Sequence, residues 1–304
     1  MSPELQAWAD AGRYLYTPIG QHRVFFKQLG DPEAPPDRTL LLLHGFPESS
    51  YSFHKVVSPL LARFDRIVLF DFIGYGLSDK PAHYGYSLYE QADVALEVWR
   101  ALGVQGGHLL AHDMGTSVAT ELLARELSAL LPAGFSEGFN SVTFTNGSMV
   151  LALARLRLTQ RLLLSPLGPL LARWSSYRVM ASQVRSAHGN DGLSDADLEH
   201  LWENIQLGDG HRNHHRVIRY LLDRRRLEAP RWLEALRHTR TPIHLCWGTD
   251  DAVARVEMAY YLKEKVCPQA QLSLMPGVGH FGQLSDPERW VETVIGFYRQ
   301  SGAA

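Results

Sequence analysis

The run Leu109-Leu110-Ala111-His112-Asp113-Met114-Gly115-Thr116 constrains the fold of this chain most. It reads as an apolar strand end, a sharp turn and the start of a helix. Ala111 and Gly115 lie two residues either side of Asp113. Their small size lets strand and helix pack closely around a strained turn that pushes one side chain outward. Here that side chain is a carboxylate. An aspartate is ionised at neutral pH and can attack carbon without a base first removing its proton. Attack on an sp3 carbon bearing a leaving group gives an alkyl ester. The plain structural reading of the same residues is an aspartate capping a helix.

Three further segments follow in an informative order. Strand-like Thr39 to Leu43 runs into His44-Gly45-Phe46-Pro47. Pro242 to Trp247 reads as a strand ending in Gly248-Thr249-Asp250-Asp251. The apolar stretch Leu272 to Met275 precedes Gly277-Val278-Gly279-His280-Phe281. Together with the Asp113 turn, these motifs resemble the α/β-hydrolase superfamily, in its epoxide hydrolase and haloalkane dehalogenase branch, over nearly the whole chain. Within that branch, His44-Gly45-Phe46-Pro47-Glu48-Ser49-Ser50-Tyr51 and the run Asp71 to Pro81 are similar to the mesoderm-specific transcript proteins. The basic run Tyr220 to Trp232 adds to that similarity.

The resemblance implies an α/β fold with a mostly parallel central sheet flanked by helices and an inserted helical cap. It implies Asp113 as nucleophile, His280 as general base, and the backbone N–H groups of Phe46 and Met114 as oxyanion donors. His44 is expected to order its loop. The family's spacing selects Asp251 as the acid that orients the base, with Asp250 as the alternative. The other place for such an acid, after the strand ending at Thr145, holds Asn146, whose amide cannot hold an imidazolium by charge. His112 and Asn146 are expected at the substrate pocket.

The leaving group separates the enzymes of this branch. An epoxide oxygen needs a proton, which a phenol can donate. Tyr220 stands where epoxide hydrolases tend to carry a ring-opening tyrosine, and Tyr177 is a second phenol. Ordinary packing is the alternative for both. A halide needs N–H donors such as indoles. Met114 and Phe46 replace the tryptophan and asparagine that haloalkane dehalogenases typically place there. The reading is therefore epoxide hydrolysis through a covalent ester. The alternatives are a haloalkane or haloacid dehalogenase and a non-catalytic small-molecule binding protein. The expected partner is a small hydrophobic substrate, with no metal or organic cofactor.

Composition sets wider bounds. A chain of 304 residues suits one domain with an insertion. A 45% hydrophobic share allows a sizeable core, and a net charge of −2 gives no reason to expect nucleic acid binding. Cys246 and Cys267 are expected as reduced thiols. The first ten residues lack the pattern of a signal peptide, and no run of about 18 apolar residues predicts a membrane span. Cytoplasm is the expected location, and self-association is left open.

Strand and helix signals alternate up to Val142-Thr143-Phe144, stop, and resume at Ile243. The boundaries expected are a core segment 1–146, a helical cap 147–238 and a second core segment 239–304. The cap opens with the Leu-rich run Leu151 to Leu158, followed by Leu162 to Leu164 and Leu170-Leu171. That pattern suits a hydrophobic pocket roof, a membrane-surface patch, or plain helix packing. His211, His214 and His215 lack the cysteine or paired carboxylates that would complete a metal site. Ser194 reads as a helix cap, and Gly74-Tyr75-Gly76 as a turn.

Overall fold

The computed structural model describes residues 1–18, 20–154, 157–189 and 192–300. Eight strands form one sheet in the order β1-β2-β4-β3-β5-β6-β7-β8. They are β1 (Arg13–Tyr16), β2 (Arg23–Gly30), β3 (Thr39–Leu43), β4 (Arg66–Phe70), β5 (Gly106–His112), β6 (Gly138–Thr145), β7 (Ile243–Gly248) and β8 (Gln271–Met275). β1 and β2 pair antiparallel, as do β2 and β4, and the remaining pairs are parallel. Every residue of β3, β4 and β5 is buried. Continuous apolar runs such as Leu40 to Leu43 suit parallel strands covered on both faces.

The covering helices are α1 (Pro3–Asp10), α2 (Val57–Leu61), α3 (Leu88–Ala101) and α4 (Met114–Leu127) before the interruption. Ser87 and Glu90 close a capping box at the start of α3. After β6 come α5 (Leu158–Leu163), α6 (Gly168–Arg173), α7 (Tyr177–His188), α8 (Asp195–Gln206), α9 (Gly210–Val217), α10 (Tyr220–Leu227) and α11 (Leu233–His238). No strand lies between Thr145 and Ile243 among the described residues. Arg155 and Leu156 of the Leu-rich run lie outside them. The chain then returns to the sheet with α12 (Val256–Tyr261), α13 (Gly282–Ser285) and α14 (Pro287–Gln300). Residues 301–304, the end of the second core segment, are not described.

The helical insertion is tied to α4 by a buried carboxylate. Glu121 Oε1 accepts from Arg125 Nε at 3.0 Å and from Arg231 Nη2 at 2.9 Å. Its Oε2 accepts from Arg231 Nε at 2.7 Å and from Trp232 Nε1 at 2.9 Å. The end of the basic run Tyr220 to Trp232 thus anchors the insertion to α4. Ser194 caps α8, accepting from Asp197 N at 3.1 Å.

The periodicity misses three details. β1 carries Arg13 and two tyrosines on an open edge, so no apolar alternation marks it. The sequence from His54 to Leu61 reads as a short helix, but the helix begins only at Val57, because a 3-10 turn over Ser50–Phe53 precedes it. The sequence from Val256 to Lys265 reads as one helix, but it divides into α12 and a π-helical turn, Leu262–Val266.

Candidate active site

Asp113 sits between β5 and α4 with φ +45° and ψ −112°. A non-glycine residue adopts that region only when its surroundings over-determine it. The surroundings here are two close approaches. A Cβ on Gly115 would lie 2.6 Å from the His44 carbonyl oxygen and 2.7 Å from that of Leu43. A Cβ on Gly45 would lie 2.6 Å from Asp113 Cβ. Glycine at both positions lets the loop after β3 close on the turn.

That loop supplies a donor. Phe46 N donates to Asp113 Oδ2 at 3.0 Å. Met114 opens α4, where first-turn amides have no intrahelical acceptor and the helix dipole is positive. His44 fixes the loop's path: its Nε2 accepts from Phe72 N at 3.0 Å, which leaves Nδ1 to donate to the Gly45 carbonyl at 2.9 Å.

His280 faces Asp113 from the loop after β8. Its Nε2 lies 3.8 Å from Asp113 Oδ1, and its Nδ1 lies 2.6 Å from Asp251 Oδ2. Burial alone would lower the His280 pKa. The charge and hydrogen bond of Asp251, then the charges of Asp113 and Glu48, outweigh burial and raise it to about 9. The loop is held from the insertion, since His280 N donates to the His188 carbonyl at 2.8 Å and Phe281 N to His188 Nδ1 at 3.0 Å.

Asp251 is itself fixed. Its Oδ1 accepts from Val253 N at 2.6 Å and Ala254 N at 2.8 Å. Its Oδ2 also accepts from Asn146 Nδ2 at 2.8 Å. Asn146 accepts from Gly248 N at 3.0 Å, so it braces the turn that carries Asp251. The neighbouring Asp250 accepts from the Thr249 hydroxyl at 3.1 Å.

A cavity of about 300 Å³ opens above Asp113 and His280. Phe46 lines it from the core, and Leu162, Leu171 and Val184 from the insertion. Two residues expected at the pocket are not on its wall. Asn146 is buried against Asp251, and His112 lies beneath His280, ring centroids 5.1 Å apart. His112 is held neutral by burial and the charge of His280, and its Nδ1 faces the Thr145 carbonyl at 3.1 Å. Its Nε2, 3.6 Å from Glu48, therefore forms no ion pair. Of the histidine cluster, His211 and His214 line the cavity. No metal-holding group of His, Cys, Asp or Glu occurs among the described residues.

Tyr220 is buried, its ring 6.0 Å from that of Phe46. Burial and then the Asp113 charge raise its pKa, and Arg224 opposes them. Arg224 lies 5.1 Å from the Tyr220 ring centre and donates to the Ser117 hydroxyl at 3.0 Å. Tyr177 opens α7 and packs on a separate apolar cluster with Met180, and neither Tyr177 nor Tyr220 is on the cavity wall.

Two groups at the site were missed. Tyr75 is a buried phenol whose hydroxyl donates to Met114 Sδ at 2.9 Å, and burial, Tyr220 and Asp113 raise its pKa. Glu48 accepts from Gly45 N at 3.0 Å and Gln283 Nε2 at 2.9 Å, and burial pushes it up to about 8. The glycines flanking Tyr75 drew attention to the turn instead of the ring. Glu48 was visible only as part of the His44 to Tyr51 similarity.

An acid held behind a histidine, with a second carboxylate on a strained strand-to-helix turn, is the layout that a sheet-and-helix fold with a nucleophile-elbow turn presents. The sequence pattern of the α/β-hydrolase fold matches residues 38–287. The chain belongs to the α/β-hydrolase fold family. LipZ of Mycobacterium tuberculosis is 39% identical over 298 residues, covering 97% of this chain and 98% of LipZ. The human mesoderm-specific transcript homolog protein is 32% identical over 310 residues, covering 98% and 88%. A haloalkane dehalogenase loop variant from Bradyrhizobium elkanii superposes with a TM-score of 0.74 at 20% identity, covering 96% and 98%. An α/β hydrolase fold protein from Burkholderia ambifaria does so at 0.73 and 23% identity, covering 94% and 98%. At these identities the two structures speak to the fold alone.

Proposed function

We propose that this chain hydrolyses epoxides to vicinal diols through a covalent ester on Asp113, under a helical cap formed by residues 147–238. The observation that carries the reading is the placement of His280 between two carboxylates, Asp251 at Nδ1 and Asp113 at Nε2. A serine nucleophile would need that base at once. Asp113 does not, so His280 is free for the second half-reaction.

Asp113 attacks an epoxide carbon, the ring C–O bond breaks, and the oxygen takes a proton from Tyr220. Burial keeps the phenol neutral and able to donate. Esterification removes the Asp113 charge, one of the causes that hold His280 protonated. The His280 proton then restores the phenol, leaving a neutral imidazole. That imidazole deprotonates water, which attacks the ester carbonyl. The Phe46 and Met114 amides receive the oxyanion. Collapse breaks the ester C–O bond, the departing alkoxide takes the second proton of the attacking water from the Asp113 carboxyl, and the carboxylate is restored beside an already protonated His280, so the net reaction is epoxide plus water.

Dehalogenation is the second reading. Against it, the indole on the cavity wall among the described residues is that of Trp174, which is 72% exposed. A buried indole next to Asp113 would suit a departing halide better. A panel of epoxides and haloalkanes, scored for diol and for halide release, tests the proposal. Diol release supports it, and halide release without diol formation favours the second reading. Binding without turnover of either class favours a non-catalytic receptor.

A further inference from the structure

The segment between Glu137 and Asp191 contains no aspartate, glutamate or lysine and six arginines: Arg155, Arg157, Arg161, Arg173, Arg178 and Arg185. The chain's net charge of −2 is thus +6 in this segment against −8 elsewhere. The same segment exposes large apolar side chains. Leu158 is 70% exposed, Leu167 59%, Leu170 46%, Trp174 72% and Val179 48%. The Leu-rich run therefore does two things. Leu162, Leu163 and Leu171 face the cavity, while Leu158, Leu167 and Leu170 face outward.

These exposed residues border the cavity's opening. Trp174 and Val179 are exposed and also line the cavity. Leu158 lies between the lining residues Arg157 and Thr159, and Leu170 abuts the lining residue Leu171. Arg161, Arg173 and Arg178 are exposed and have no carboxylate partner among the described residues. Arg185 pairs with Asp195.

We propose that this face docks on an anionic phospholipid bilayer, with the cavity mouth turned toward the lipid. Exposed leucines and a tryptophan ringed by arginines match the division of labour at a membrane surface. The apolar side chains enter the acyl boundary, the indole sits at headgroup level, and the cations meet lipid phosphates. Charge argues against a second copy as the occupant. A two-fold dimer would set this patch against itself, arginine facing arginine. No helix among the described residues is long and apolar enough to cross a membrane, so the attachment is peripheral. Such docking would let an apolar substrate dissolved in lipid enter the cavity. That consequence rests on the proposed function, but docking itself does not.

The test is flotation of the full chain with vesicles, with no turnover in the readout. One set contains phosphatidylcholine alone, the other equal parts phosphatidylcholine and phosphatidylglycerol. The chain is expected to float with the mixed vesicles, to remain behind with the neutral ones, and to be released by salt. Brominated acyl chains should quench emission from Trp174, and Trp174→Phe should remove that quenching. Arg173→Glu with Arg178→Glu should weaken partition at least about 10-fold, at an unchanged thermal midpoint. Failure of the folded wild-type chain to float with mixed vesicles overturns the proposal. Equal flotation with neutral vesicles does the same. So does a dimer, seen by light scattering, that Trp174→Ser dissociates.

Discussion

His280 Nδ1 lies 2.6 Å from Asp251 Oδ2, whereas Asp250, one residue earlier, is hydrogen-bonded to Thr249 instead. Two adjacent acids thus have separate surroundings. Asp251→Asn should slow ester hydrolysis by roughly 10²- to 10⁴-fold, the range typical of a lost acid–base function. Asp250→Asn should cost far less. Single-turnover decay of the ester in each variant checks this, and equal losses would transfer the role or divide it.

The site's two raised pKa values predict a slope in stability. Glu48 moves from 4.5 to about 8 on folding, and His280 from 6.5 to about 9. In both windows the folded chain binds more protons than the unfolded one, so stability falls as pH rises. The Glu48 contribution is present below pH 4.5 and lost through about 8. That of His280 is present below 6.5 and lost through about 9. Thermal midpoints measured across this range should decline. Glu48→Gln should flatten the lower part of the curve and His280→Gln the upper part.

Tyr220→Phe keeps the ring and removes the proton donor. Epoxide turnover should fall by roughly 10²- to 10⁴-fold while the melting temperature stays near that of the parent. Tyr75→Phe, whose hydroxyl is engaged with Met114 Sδ, should cost less. Unchanged turnover in Tyr220→Phe would return that residue to packing.

Glu121→Ala leaves Arg231 and the Trp232 indole without their acceptor at the junction of insertion and core. Removing one partner of a buried ion pair costs about 3–5 kcal/mol. Chemical denaturation should report a loss of that size. A change within experimental error would show that the insertion is held by apolar packing alone.

The residues of the site, on the cavity wall and behind it, differ in how far the sequence revealed them. Asp113, Phe46 and Met114 belong to local strand–turn patterns, and such patterns survive in eight contiguous residues. His280 and Asp251 follow strands whose order the fold prescribes. Asn146 occupies the vacant acid position, and its contact with Asp251 spans 105 residues, which no local pattern records. Placing it at the pocket followed from its strand end, but the side chain turns along the sheet toward β7. Tyr75 from the core and Tyr220 from the insertion both pack on the Phe46 ring. A contact of that kind depends on how α10 docks, through Arg224 on Ser117 and Arg231 on Glu121. The charge asymmetry of residues 138–190 can be counted in the sequence, but no expectation was drawn from it. Its meaning needed the exposed side chains around the cavity mouth.

The covalent step is tested most directly by isotope placement. A single turnover is run in ¹⁸O-water with enzyme in excess over an epoxide that the panel has shown to be a substrate. If water attacks the ester carbonyl, label enters the peptide carrying Asp113 and the first diol is largely unlabelled. His280→Ala should then accumulate an adduct heavier than the enzyme by the mass of the substrate. Label in the first diol, none in the Asp113 peptide and no adduct would contradict the account, because water would have attacked carbon directly.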